Sequence, residues 1–337
     1  MRILFLTSPS ADYLADGLLH GLRRFFGPSV VDYPKADILY AGCSTEMLAQ
    51  VRGKGFTLYA TLQDESIDRY DIFEKIRTRY FNLVIFGSIW RQFGLYAQLH
   101  PWLEPGSTIV IDGEDSPAPY PASGFFWRRP YYWSLPRAHH HHLYFKRELT
   151  TDTRFTLVGA RLVPQAIRQI WPQQPNLRPI AFSIPSEKIL DRPCAKTKNF
   201  PTHVVDEEVS AALGQGQAQY AFAREIDYYR DLRSSRFGIT TKRAGWDCLR
   251  HYEIAANGAV PAFRDLATKP SMCAPHGLDD TNCLSYTSAS DLLRKIDRLH
   301  ESDYSRLQAG AMAWARKQTT VARAQELIDA WRQSAQG

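Results

Sequence analysis

The sequence predicts an α/β protein built from two parallel-sheet units. Three observations lead there. Short apolar runs alternate with helical runs from Arg2 to Asp112, the pattern of strands joined by crossover helices. A second strand–loop–helix–strand unit spans Ser234 to Asp265. The chain is 337 residues long, 44% hydrophobic and 12% aromatic, which suits two domains of ordinary size better than one very large one.

Taken in order, Arg2–Leu6 reads as the first strand, Thr7–Asp12 as a polar loop and Tyr13–Phe26 as an amphipathic helix that stops at Gly27. Val30–Tyr33 and Ala36–Tyr40 read as extended, Phe56–Ala60 as a strand and Tyr70–Tyr80 as a helix. Asn82–Gly87 is an apolar strand, Trp90–Leu99 a helix and Thr108–Asp112 a further strand. This half reads as a Rossmann-like domain. In such sheets ligands lie beyond the carboxyl ends of the strands, which selects the loops Ser8–Asp12, Asp64–Arg69, Gly87–Arg91 and Asp112–Asp115. Asp112, Glu114 and Asp115 put three carboxylates within four residues. They can supply a general base, hold a metal or an amine, or form a solvated acidic turn. Asp12 is an alternative base or the N-cap of the helix that follows it. His20, inside that helix, reads as structural.

The middle of the chain is irregular. Ser116–Pro136 is rich in proline and aromatic residues, a composition for stacking on sugars or bases or for ordinary core packing. Four consecutive histidines, His139–His142, cannot all face one metal in a regular element. Leu177–Ile184 is extended and stops at Pro185. Lys196, Lys198 and His203 follow on a basic, polar stretch leading into a short strand, Thr202–Asp206, as weak donor-site candidates or surface residues. Gln219–Ser234 is helical.

The second unit carries the densest chemistry. Arg236–Thr240 is a short strand, Lys242 and Arg243 are basic, and Gly245-Trp246 opens a helix that carries Glu253. Asn257-Gly258 suits a left-handed helix end, and Ala259–Phe263 returns as a buried strand. A helix N-terminus flanked by Lys and Arg attracts phosphate. Downstream, Asn282–Tyr286 reads as the last strand, Ser288–Leu299 as an amphipathic helix and Tyr304–Gln333 as one long helix.

Gly245, Trp246, Glu253, Ala256, Gly258 and Pro261 form Gly-Trp followed by Glu-x-x-Ala-x-Gly-x-x-Pro. This resembles the nucleotide-sugar motif of GT-B glycosyltransferases, in particular the bacterial branch with the spore-maturation-type enzymes. Gly113-Glu114-Asp115 and Tyr144-Phe145-Lys146-Arg147-Glu148 are similar to segments of bacterial glycosyltransferase-like proteins, as is the N-terminal stretch from Asp12 to Lys35. The resemblance implies two Rossmann-like domains facing a cleft, with residues 1–180 the acceptor domain, 181–305 the nucleotide-sugar domain, and a helix in 306–337 crossing back to the first. It implies that Glu253 binds the donor ribose and that Lys242, Arg243 and Gly245 face the diphosphate, with Trp246, Lys196 and His203 nearby. It implies no metal and no cofactor beyond the nucleotide-diphosphate sugar, which is a co-substrate.

Composition narrows the function classes. Five scattered cysteines without a C-x-x-C pair argue against a zinc site or a disulfide framework and fit a cytoplasmic setting. No apolar run approaches the roughly 20 residues that span a bilayer, and the N-terminus reads as a strand instead of a signal peptide. The net charge of +6 favours polyanionic partners, nucleic acid among them. Three readings follow: transfer of a sugar to a hydroxyl of a glycan, lipid or small molecule; transfer to modified DNA; or a non-catalytic protein that keeps the fold for binding.

Overall fold

The computed structural model describes residues 1–121, 135–154, 164, 167, 176–214 and 221–336. Most of the Ser116–Pro136 aromatic stretch and the start of the expected Gln219–Ser234 helix lie outside these residues. The first sheet contains β1 (Ile3–Leu6), β2 (Val30–Tyr33), β3 (Leu83–Phe86), β4 (Thr108–Asp112), β5 (Leu143–Lys146) and β6 (Leu177–Pro179). The second contains β7 (Phe237–Thr240), β8 (Val260–Arg264) and β9 (Leu284–Tyr286). The described helices are α1 (Tyr13–Phe26), α2 (Thr45–Gln50), α3 (Ile72–Arg77), α4 (Ile89–Leu99), α5 (Ala138–His141), α6 (Glu207–Ala212), α7 (Glu225–Ser234), α8 (Leu249–Ala256), α9 (Ala289–Asp297), α10 (Glu301–Lys317) and α11 (Thr320–Gln336).

Both sheets are parallel, with orders β2-β1-β3-β4-β5-β6 and β7-β8-β9. The central strands β1, β3, β4 and β5 are buried along their whole length, as strands covered on both faces must be. Alternate side chains sort to opposite faces. Ile3, Phe5, Ile85 and Ile109 pack with Leu18 and Leu22 of α1 and Leu327 of α11, while Leu4, Leu6, Phe86 and Val110 pack with Ile76 of α3 and Tyr96 of α4. Ile3 pairs with Val30 on one side and Leu83 on the other. The chain order therefore reverses at β1, and the crevice of a doubly wound sheet opens at the ends of β1 and β3.

Several expected elements differ. Phe56–Ala60 is no strand: Thr57 takes φ +74° and Ala60 φ +54°, values incompatible with a pleat. Asp37–Leu39 is a single 3-10 turn inside the stretch expected to be extended, and the Tyr70–Tyr80 helix shortens to Ile72–Arg77. Thr202–Asp206 forms no described strand, because Asp206 caps α6 by accepting from the Glu208 and Val209 amides. Leu177–Pro179 joins the first sheet as its edge, where proline's missing N–H costs nothing. The long terminal helix is broken at Gln318-Thr319. There Ile184 intervenes, its N–H donating to the Gln318 carbonyl at 3.0 Å and its carbonyl accepting from the Thr320 N–H at 3.0 Å.

That break sends α11 back across the first sheet, as the sequence resemblance implied. His20 of α1 meets the Thr320 hydroxyl at 2.9 Å, and Trp331 donates to the Gly106 carbonyl at 2.7 Å. The approach of α11 to α1 requires a glycine: a Cβ on Gly21 would lie 1.9 Å from the Thr320 carbonyl oxygen. All five cysteines are free. Among the described residues no helix is long and apolar enough to cross a membrane.

Two predictions follow from this packing. Gly21→Ala forces the backbones of α1 and α11 apart and should destabilise the fold by about 1–3 kcal/mol, seen as a lower melting temperature. An unchanged melt contradicts the close approach. The second concerns pH. Burial pushes His20 and His276 down to about 4, and His139, His142 and His251 to about 3. Between those values and 6.5 the unfolded chain binds a proton on each and the folded chain does not, so acid favours unfolding. Burial pushes Asp16 and Asp247 up to about 7 and about 6, which acts in the opposite sense, but the histidines outnumber them. Stability should rise from about pH 4.5 to 6.5, each net proton contributing about 1.4 kcal/mol per pH unit. The melting temperature at pH 5.5 should fall below that at pH 7.5 by about 5 °C or more; a flat or inverted profile contradicts it.

Candidate functional site

The carboxyl ends of the two sheets meet. From the second sheet, β7 runs into the 241–248 loop, which leads to α8. His251 fixes the loop's shape. Held neutral by burial, it donates from Nε2 to the Trp246 carbonyl at 3.0 Å and accepts at Nδ1 from the Thr240 hydroxyl at 2.8 Å. Gly245 presses against the first sheet: a Cβ there would lie 2.6 Å from both Asp115 Oδ1 and Glu148 Oε1. This close approach explains glycine at the position.

Arg147, just beyond β5, is the fastener. Its guanidinium pairs with Asp115 and donates to the Gly113 carbonyl at 3.1 Å, to Glu148 Oε1 at 3.1 Å and to the Asp247 carbonyl at 2.9 Å. Burial opposes its charge, and the carboxylates of Asp247, Glu148 and Asp115 more than restore it. Glu148 Oε1 also accepts from the amides of Trp246 at 2.9 Å and Asp247 at 3.3 Å, and Oε2 accepts from the Cys273 thiol at 2.9 Å. A protein carboxylate thus sits on the loop amides that the sequence suggested for a diphosphate. Asp247 is buried, bonded to the Phe182 amide at 2.7 Å and the Tyr252 hydroxyl at 3.0 Å. The Trp246 ring packs into the second core, with Lys242 Nζ 5.0 Å from its centroid. The ring thus helps to hold the loop in place.

On the next turns α8 presents Arg250 and Glu253, three residues apart and so on one face. Glu253 Oε1 accepts from the Thr57 hydroxyl and Oε2 from the Tyr228 hydroxyl at 2.8 Å. Burial raises its pKa, and these two hydroxyls counteract the rise. Arg250 Nη1 is buried with no hydrogen-bond partner. Cys248, the N-cap of α8, provides no side-chain cap. An unpaired buried donor costs about 1–3 kcal/mol, more when charged, so this guanidinium stands out. Neither Arg250 nor Thr57 was marked by the sequence analysis. Arg250 was detectable as the basic residue one turn before Glu253; Thr57 lay inside an expected strand.

On the side of the first sheet, Asp12 caps α1, accepting from the Leu14 and Ala15 amides at 3.1 and 3.2 Å, with Arg91 Nη1 4.0 Å away. Asp112 is fully buried; it accepts from the Tyr144 hydroxyl, from Lys146 Nζ at 2.8 Å and from the Glu114 amide at 3.0 Å. Its two oxygens are both engaged within the first sheet. Asp115 is committed to Arg147. Glu114 alone of the acidic turn keeps an exposed carboxylate free of side-chain partners among the described residues. Partial burial and then Asp112 raise its pKa. The atoms of Gly113 lie beside Asp12, since a Cβ there would be 3.7 Å from Asp12 Oδ1, so the turns after β1 and β4 adjoin.

The remaining expected donor residues separate. Lys242 and Arg243 are exposed at the loop. Lys196 lies at the other end of α8, where its Nζ donates to the Arg233 carbonyl at 2.8 Å and comes close to Gly258; burial pushes it down to about 8. It is spent on closing α7. His203 is half-buried on a segment tied by Thr202 to Asp231 and by Asp206 to Arg264 and Tyr286. Among the described residues, the four-histidine run included, no group of His, Cys, Asp or Glu is placed to hold a metal.

No protein-family model matches the sequence, and no curated protein matches it. Similarity appears at the level of structure. HepE of Anabaena, solved with UDP and glucose, is 11% identical with a TM-score of 0.55, covering 98% of this chain and 99% of its own. An alpha-glucosyltransferase solved with UDP and a 13-mer DNA is 10% identical with a TM-score of 0.54, covering 98% and 100%. Two parallel sheets joined at their carboxyl ends and a last helix returning to the first sheet give this chain the GT-B fold of those glycosyltransferases.

Proposed function

We propose that the chain is a glycosyltransferase that moves a sugar from a nucleotide-diphosphate sugar to a hydroxyl acceptor at the junction of the two sheets. Arg250 carries the reading. Nη1 of the half-buried Arg250 guanidinium, beside the N-terminus of α8, is itself buried and has no hydrogen-bond partner, and a diphosphate would supply an acceptor for it. The positive end of the helix adds to its field, and exposed Lys242 and Arg243 add charge at the entrance. Glu253, on the same face, offers a carboxylate to the hydroxyls of a ribose. The likeness in fold to HepE, solved with UDP, supports a uridine donor.

Chemically, departure of the sugar leaves negative charge on the diphosphate, which Arg250 and the helix end stabilise electrostatically without rearranging. The acceptor hydroxyl must lose a proton. Glu114 is the best placed group, since its carboxylate is exposed and partial burial with the neighbouring Asp112 raises its pKa. Asp12 lies beside that turn with its Oδ1 given to the α1 amides, and serves to orient the loop.

Nucleic acid is the second reading of the acceptor. It draws on the net charge of +6 and on the likeness in fold to an alpha-glucosyltransferase solved with DNA. Retardation of a DNA duplex that weakens steeply with salt supports it, and no retardation at low salt removes it.

The donor site is checked by thermal melts with UDP, GDP, dTDP, ADP and CMP. One nucleotide at about 100 times its Kd should add about 2.7 kcal/mol of stability. Arg250→Ala should abolish that gain by weakening binding by about 2–4 kcal/mol, while leaving the unliganded protein as stable as wild type or more so. Glu253→Ala should weaken binding as well. A ligand shift that survives Arg250→Ala contradicts the assignment.

A further inference from the structure

Resting on the donor reading above, one contact has a second meaning. The carboxylate given to the donor ribose is occupied by protein hydroxyls, Thr57 on Oε1 and Tyr228 on Oε2. Thr57 is no ordinary partner. It is 1% exposed and β-branched, yet it sits at φ +74°, where a side chain of that shape is strained. Gly53, Lys54, Gly55 and Ala60 also have positive φ, so the backbone on either side of Thr57 is irregular. Strain of this kind persists only where surrounding contacts impose it, and it concentrates at ligand sites.

The contacts on Thr57 itself come from the side of the second sheet, whereas the residues after it hold to the first, the Tyr59 hydroxyl donating to Asp16 Oδ2 at 2.9 Å and the Ala60 amide to the Ile38 carbonyl at 2.9 Å. The Thr57 amide donates to Glu225 Oε1 at 2.6 Å, and its hydroxyl lies 2.8 Å from the Tyr229 hydroxyl. Lys54 Nζ donates to the Phe222 carbonyl at 3.0 Å, and the Phe56 ring stacks on Tyr228. Glu225 is itself held by Lys188 Nζ at 2.6 Å. A secondary alcohol donating to a buried carboxylate is chemically the same bond that a ribose hydroxyl would make.

We propose that Thr57 is a resident plug of the ribose subsite: in the unliganded protein its hydroxyl holds Glu253, and the donor binds by exchanging a ribose hydroxyl for it. Exchange is hydroxyl for hydroxyl, so Glu253 never stands unpaired in its buried position. The strained backbone at Thr57 relaxes on release, which offsets part of what is lost in its contacts. The apparent affinity for donor is lowered by the fraction of molecules that are plugged.

The test is calorimetric titration of UDP into wild type, Thr57→Val and Thr57→Ser, with amide hydrogen exchange of the wild type alone and with UDP. Valine keeps the shape and the branching but cannot donate to Glu253, so it should bind UDP about tenfold more tightly than wild type. Serine should bind as wild type does. UDP should speed exchange of the amides from Lys54 to Ala60, a response that a purely structural Thr57 would not give. Thr57→Val binding UDP no better than wild type, or slower exchange of that segment on UDP binding, overturns the plug and leaves the donor reading intact. If neither wild type nor Thr57→Val binds any of UDP, GDP, dTDP or ADP, the donor reading itself falls and takes the plug with it. The exchange measurement uses the wild type, so it decides even if the valine variant does not fold.

Discussion

The buried guanidinium of Arg147 joins the two halves of the molecule, and the candidate site exists only because it does. One side chain reaches the Gly113 carbonyl and Asp115 of the first sheet, Glu148 beside it, and the Asp247 carbonyl of the second. Breaking a buried network of this sort by deleting one partner typically costs about 3–5 kcal/mol, because the charges left behind have no solvent. The geometry demands a residue without a side chain opposite, and Gly245 supplies it. Glu148 completes the seam by accepting the Trp246 and Asp247 amides. The 241–248 loop is thereby fixed against the first sheet, and α8 projects Arg250 and Glu253 toward the segment that carries Thr57.

This division of labour separates framework from function among the charged groups. Asp112, Lys146, Arg147, Glu148 and Asp247 are buried and mutually satisfied; they set positions. Arg250 is half-buried with its Nη1 unpaired, Glu253 is buried and held by the strained Thr57 and by Tyr228, and Glu114 is exposed with a raised pKa. Groups whose pairing is incomplete or strained in the empty protein are the ones that a ligand can complete. Natural folds keep such costs where they serve binding.

Much of the architecture was legible in the sequence. The strands that became β1, β3, β4 and β8 are continuous apolar runs, and the helix Tyr13–Phe26 carries its cap at Asp12. The glycine-bearing loop before α8 was also visible as a unit, since it follows from local rules of helix ends and turns. What escaped were features set by distant partners. Phe56–Ala60 has the composition of a strand, but contacts from Glu225, Tyr228 and Glu253 bend it into positive φ. Glu148 takes the loop amides because β5 ends opposite them, which no local pattern reveals. Lys196 stood out as a basic residue before the second sheet, and its bond to the Arg233 carbonyl at the end of α7 comes from a distant partner. Asp112 and Glu114 read alike in sequence; only the pairing with Lys146 separates a buried anchor from an accessible carboxylate.

The central claim is that a donor diphosphate completes Arg250. Phosphorus NMR of UDP-glucose in the presence of the protein tests it most directly, because it observes the two phosphates themselves. The account predicts that both resonances shift and broaden with wild type and keep their free-solution positions with Arg250→Ala. Unperturbed resonances with wild type, for UDP-glucose and for the GDP, dTDP and ADP sugars alike, or the same perturbation with Arg250→Ala, would contradict it.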